Sequence, residues 1–169
     1  GQIINLTSLA NDSGISVNTA KAWLSLLETS YIIILLQPYY KNFNKRIIKS
    51  PKLYFYDTGL ASSLLRIGSV ETLHTHYLYG SLFENLVIGE IIKSQVHSGR
   101  LPSVYYWRES NGTEIDCIIE REEGGITALE IKAGQTFTTE YMRNLLHFPG
   151  KINEGDIQKC VVYAGSESV

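Results

Sequence analysis

Between Thr113 and Lys132 the chain reads Thr-Glu-Ile-Asp-Cys-Ile-Ile-Glu-Arg-Glu-Glu-Gly-Gly-Ile-Thr-Ala-Leu-Glu-Ile-Lys. Both flanks are rich in β-branched residues and alternate with period two, and the glycines mark a reversal between them. The stretch therefore predicts a β-hairpin. A hairpin symmetric about Glu123 sets Asp116 across from Glu130. Residues opposed on one face hold their Cβ atoms about 4.5–5.5 Å apart, and like charges there repel. Lys132 projects to the same face as Glu130, because side chains alternate along a strand. Two facing carboxylates beside a lysine make poor packing and a good set of ligands for a divalent cation.

The rest of the composition narrows the setting. With 44% hydrophobic and 19% charged residues the chain is neither disordered nor fibrous. Its longest apolar run, Tyr31 to Leu36, falls far short of the roughly 20 residues that span a bilayer, so no membrane partner is expected. No secretory leader is visible. Cys117 and Cys160 each sit in a strand-like run and are expected to be buried free thiols in a reducing, cytoplasmic setting. An opening Gly1 and an abrupt end after a strand suggest a fragment of a longer protein.

The net charge of −2 hides an asymmetry. No acidic residue falls between Thr29 and Tyr56, while Lys41, Lys45, Arg46, Lys49 and Lys52 all do, interleaved with Tyr39, Tyr40, Phe43, Tyr54 and Tyr56. A basic, aromatic stripe suits a surface that tracks a phosphate backbone, which makes DNA a candidate partner. The alternative is a solvated hairpin whose lysines keep an edge from aggregating.

In residues 1–66, a short helix over Leu6–Asp12, a glycine turn and a second helix capped by Ser16 are followed by strands over Tyr31–Tyr40 and Lys52–Tyr56. That order is a winged helix-turn-helix pattern. Ala20, Trp23, Leu24 and Leu27 recur at helical spacing and are expected to form the buried stripe of the second helix. Its outward positions, Asn18, Lys21, Ser25 and Glu28, are thin chemistry for reading base edges, so a protein-contacting winged helix stays open beside a DNA-contacting one. Asp57-Thr58-Gly59 matches the aspartic-protease triplet, but the residues after it look helical and Asp57 reads as a cap.

Residues 67–169 read as a long helix (roughly Tyr77 to His97), three strands, a helix begun at Thr138 or Thr139, and a last strand over Lys159–Tyr163. Glu84 shares the apolar face of the long helix with Val87, Ile88 and Ile91. A carboxylate there needs a partner: the metal face of the sheet, or else a backbone N–H or Arg108. His74 and His76 read as exposed histidines or, less simply, as metal ligands.

Glu on the first helix, Asp on the second strand and Glu-x-Lys on the third, in this order, resemble the PD-(D/E)XK nuclease superfamily. Asn44 to Ala61, Gly80-Ser81-Leu82-Phe83-Glu84-Asn85, Glu114-Ile115-Asp116 and Glu130-Ile131-Lys132-Ala133-Gly134 are similar to the signature of a domain that follows the P-loop module of AAA-type ATPases. The fold this implies is α/β (α+β): a winged helix followed by a restriction-endonuclease-like domain that is C-terminally truncated. The resemblance implies Mg²⁺ or Mn²⁺ held by Glu84, Asp116, Glu130 and the Ile131 carbonyl. Lys132 would act at the attacking water or the phosphodiester, and Gln135 would contact substrate or water. A Pro usual before the metal Asp is absent. No Walker A motif occurs, so ATP would belong to an upstream ATPase portion of the same polypeptide. DNA, that ATPase and a second copy of the chain are the candidate partners. A non-catalytic regulatory or docking module of the ATPase is the competing expectation.

Overall fold

The structure is a computed structural model that describes residues 1–39, 48–148 and 156–168. Lys41, Lys45 and Arg46 of the basic stripe lie outside the described residues. Strand β1 (Gln2–Ile3) leads into α1 (Leu6–Ser13), whose cap Asn5 accepts the Ser8 N–H. Gly14, at φ 66°, ends α1 in the left-handed conformation that suits glycine. Ser16 then caps α2 (Val17–Thr29) by accepting the Thr19 N–H. The expected stripe is narrower than the periodicity implied. Ala20 and Leu24 are buried, one turn apart, but Trp23 is 56% exposed, because α2 packs along one side only. Strands β2 (Ile33–Leu36) and β3 (Lys52–Phe55) pair antiparallel, and β1 adds to the other edge of β3, giving the order β1-β3-β2.

Asp57 caps α3 (Thr58–Leu64), its carboxylate accepting the N–H groups of Gly59 and Leu60. A six-residue helix absent from the sequence reading, α4 (Val70–Thr75), starts at the Ser69 cap. Helix α5 (Tyr79–His97) follows. His74 packs edge-on against Tyr79, and His76 stacks on Tyr77. No helix among the described residues is long and apolar enough to cross a membrane.

The second sheet runs β4 (Val104–Arg108), β5 (Glu114–Glu120), β6 (Ile126–Lys132) and β7 (Ile157–Tyr163), in that order. The first three strands are antiparallel; β7 lies parallel to β6. Between β6 and β7 a 3₁₀ turn (Thr139–Met142) runs into α6 (Arg143–His147). The protein is thus a mixed α/β structure with two sheets. The β5–β6 register, Glu120↔Ile126 to Cys117↔Leu129, is the one expected from symmetry about Glu123. Gly124 and Gly125 adopt φ of 88° and 78° at the reversal, which a residue with a Cβ enters at a cost.

Each face of this sheet carries its own apolar cluster. On one side Val104, Tyr106, Cys117, Leu129 and Ile131 pack with Ile88 and Ile92 of α5 and with Ile34, Leu36 and Tyr54 of the first sheet. On the other, Trp107, Ile115, Ile118, Ile126 and Ala128 pack with Tyr39, Leu145 and Phe148. The chain beyond β2 also pairs with β4: Tyr106 N–H donates to Gln37, Tyr39 N–H donates to Tyr106, and Pro38 bridges Tyr106 in parallel. Cys117 is buried as expected; Cys160 is exposed, because β7 ends the sheet order and Gln158, Lys159 and Cys160 are left uncovered on both of its faces.

Candidate functional site

Asp116 owes its position to an irregularity in β5. Tyr105 pairs with Ile118, but Trp107 pairs with Ile115, so β5 spends three steps where β4 spends two. This bulge breaks the alternation, and Ile115 and Cys117 consequently enter opposite cores. Bulges re-aim side chains in this way. Asp116 Oδ2 accepts the Ile131 N–H at 2.9 Å, beyond the last paired residues of the β5–β6 ladder. Lys132 Nζ lies 3.4 Å from the same oxygen and 2.5 Å from Glu130 Oε2. The hairpin therefore brings Asp116, Glu130 and Lys132 together.

Glu130 is the outlier in its energetics. Its side chain is 1% exposed, and Oε1 is buried with no hydrogen-bond donor among the described residues. The Asn144 amide of α6 is near enough to favour the charged form but makes no hydrogen bond to Oε1. Burial and then the Asp116 charge push the Glu130 carboxyl up to about 7, with Lys132 pulling the other way. Lys132 is held above the usual lysine range: burial opposes its charge, but Asp116 and Glu130 outweigh burial. A buried carboxylate oxygen with no donor costs about 1–3 kcal/mol. A hard cation is the kind of group that would satisfy it.

Glu84 is placed differently from the expectation that it joins the metal face. Neither Arg108 nor a backbone amide within the fold's elements is its main partner. Its Oε1 accepts the Tyr54 hydroxyl at 2.6 Å and Lys52 Nζ at 3.0 Å, and the Gly1 nitrogen lies 3.2 Å from Oε2. Burial raises the Glu84 carboxyl, but the Lys52 charge and these donors outweigh it and hold the group below the usual carboxylate range. Lys52 also pairs with Glu114 Oε1, whose other oxygen takes Arg108 at 2.9 Å. Among the described residues no three acidic, histidine or cysteine side chains converge as a metal-holding group.

Lys52 does not lie on the exposed basic stripe where its charge and neighbours in sequence place it. It is 3% exposed, sits 5.5 Å above the Tyr106 ring, and is closed off from a nucleic acid. Lys49 is exposed. Gln135 lies exposed in the turn beyond β6, and the hydrogen bonds of the Asp116–Glu130–Lys132 cluster do not include it. Sequence reasoning missed Tyr54 and Glu114. The signal was present: Lys52 with Tyr54, and Glu114 with Asp116, are i, i+2 pairs that alternation sends to one face. Asn85 was missed too. The next residue after Glu84 on α5, it binds both backbone groups of Phe55, at 2.7 and 2.8 Å, and locks β3 onto the helix.

A family model described as Domain of unknown function (DUF4143) matches residues 79–169, more than half of the chain. The chain belongs to the DUF4143 family. A second model, Domain of unknown function (DUF8612), matches residues 1–71. Lys52 and Tyr54 thus come from the DUF8612 match, and Glu84, Glu114, Asp116, Glu130 and Lys132 from the DUF4143 match. Similar relatives are Uncharacterized protein Mb2031c of Mycobacterium bovis and Uncharacterized protein Rv2008c of Mycobacterium tuberculosis, each 29% identical over 136 residues, covering 80% of this chain. The match spans 30% of the length of those relatives. No solved structure matches the chain.

Proposed function

We propose that this DUF4143 chain carries a PD-(D/E)XK-type, divalent-metal-dependent site that hydrolyses a DNA phosphodiester, joined to a winged helix and serving an AAA-type ATPase. The observation that carries the reading is the convergence of Asp116 and Glu130 on Lys132, with the other Glu130 oxygen buried and without a donor among the described residues. The order α5, β4-β5-β6, α6, β7 and the sheet order β1-β3-β2 support the two fold assignments. Mg²⁺ or Mn²⁺ fits Asp116 and Glu130, with the Ile131 carbonyl as the further oxygen the resemblance nominates. Bound there, the ion would supply electrostatic stabilisation of charge developing on the phosphate. Lys132, between the two carboxylates, orients the attacking water and offsets negative charge on the phosphoryl oxygens. Water adds in line to phosphorus, the bond to the leaving sugar oxygen breaks, and that oxygen takes up a proton. The basic segment around Lys41, Lys45, Arg46 and Lys49 would hold the DNA backbone, and Gln135 would contact it past β6. ATP would be handled by an upstream ATPase portion.

A second reading, a regulatory or docking module without catalysis, is favoured by the engagement of Glu84 with Lys52 and Tyr54. Incubation of supercoiled plasmid with the 169-residue chain and Mn²⁺ separates the two. Nicking is expected from the wild type and is expected to vanish in Lys132→Ala and Glu130→Gln. Undiminished nicking by Lys132→Ala would sink the nuclease reading, and metal binding without nicking would promote the docking module.

A further inference from the structure

The carboxylates at this centre already possess a cation. Glu84, Glu114, Asp116 and Glu130 face three side-chain cations, Lys52, Lys132 and Arg108, and the Gly1 amino group, which leaves no net charge among them. Lys52 is the innermost of the three cations: its side chain is 4% exposed, against 34% for Lys132 and 37% for Arg108. Its ammonium bridges Glu84 Oε1 and Glu114 Oε1 and lies over the Tyr106 ring, and Tyr54 fixes Glu84 from the same strand. A buried carboxylate pair needs compensation on this scale, and a lysine supplies it as a compact point charge.

We propose that Lys52 is the resident cation of the site. It stands beside Glu84 and Glu114 where a second divalent ion would otherwise bind, so that the chain takes one divalent ion, at Asp116 and Glu130, and Glu84 contributes no ligand. The inference rests on the metal reading above and deepens it. One divalent ion already tips this balanced cluster positive, whereas a second would have to expel an ammonium buried between two carboxylates. Lys52 belongs to the region matched by DUF8612 and its two carboxylates to the region matched by DUF4143, so one match supplies the counter-ion of the other. Lys52 is on this account a positioning residue: it touches no substrate and sets how many ions the centre accepts.

Calorimetric titration of Mn²⁺ into the 169-residue chain and its Glu84→Gln, Lys52→Met and Glu130→Gln variants tests this. The expected result is one ion per chain for the wild type and none for Glu130→Gln. Glu84→Gln is expected to keep one ion with its Kd changed less than about threefold. Lys52→Met is expected to gain a second ion, since Glu84 and Glu114 then lose the ammonium that bridges their inner oxygens and keep only Gly1 and Arg108 at the outer ones. Two ions on the wild type, or a tenfold weaker Kd in Glu84→Gln, overturns the proposal while leaving the metal reading intact. No binding by the wild type with one ion gained by Lys52→Met removes the Asp116–Glu130 reading and keeps Lys52 as resident cation. No binding by either overturns both. Circular dichroism checks folding, and Lys52→Gln replaces Lys52→Met if the latter does not fold.

Discussion

Glu130→Gln is expected to make the metal-free protein more stable above neutral pH and to remove its response to metal. The carboxyl is pushed from an ordinary value of 4.5 to about 7 by burial and by Asp116. A raised carboxyl favours the folded state in its neutral form. That contribution is complete below pH 4.5 and is lost as the pH rises through 7. The full shift corresponds to a few kcal/mol, at roughly 1.4 kcal/mol per unit. Solvent reaching the site past the half-exposed Lys132 reduces this to about 1–2 kcal/mol. Glutamine keeps the shape and never ionises, so the variant is expected to match the wild type near pH 4.5 and exceed it above pH 7.5. For a chain of this length the gap is about 2–8 °C in Tm. Mn²⁺ at about 100 times its Kd stabilises a one-site protein by about 2.7 kcal/mol, and only the wild type is expected to show it. Thermal melts at pH 4.5, 6, 7 and 8, with EDTA and with Mn²⁺, measure both effects. A Glu130→Gln variant less stable than the wild type at pH 8 in EDTA, or a gap that ignores pH, would refute the reasoning.

Tyr54→Phe removes a buried hydroxyl from Glu84 and is expected to cost about 1–2 kcal/mol in urea unfolding; no loss would mean that Lys52 and Gly1 hold the carboxylate without it. Asn85→Ala strips both bonds from the Phe55 backbone and is expected to cost about 2–4 kcal/mol. Faster hydrogen exchange at the Phe55 amide is the accompanying sign, and unchanged exchange would show that β3 does not depend on Asn85. Reversing Lys41, Lys45, Arg46 and Lys49 to Glu is expected to weaken DNA binding and to flatten its salt dependence by about 0.9 per lost phosphate contact. Unchanged affinity in a salt titration would eliminate this segment as the DNA surface.

The hairpin was legible because its two signals agree: alternating β-branched arms and a glycine pair that tolerates positive φ together leave one register. Glu84 was legible as a carboxylate in need of a partner, since helical spacing put it among Val87, Ile88 and Ile91. Its partner was not, because Lys52 is 32 residues distant and was read by its charge instead of by its alternation with Tyr54. The bulge at Asp116 and Cys117 could not be read either. One extra residue in a strand leaves the period intact on each side and shows only against the neighbouring strand. Trp23 and Cys160 were misjudged for a shared reason: periodicity reports which side chains are in line, and the number of neighbours decides how many of them are covered.

The boundary between the two family models falls near residues 72–78, yet the apolar cluster that holds Ile34, Leu36 and Tyr54 also holds Ile88, Ile92, Cys117 and Ile131. The family models and the apolar interior therefore draw different lines through this chain. A recombination event at that boundary would hand each descendant half of an interior, with a cut face of aliphatic and aromatic surface on both pieces. An exchange of one half alone would leave a face that only a fitting counterpart covers.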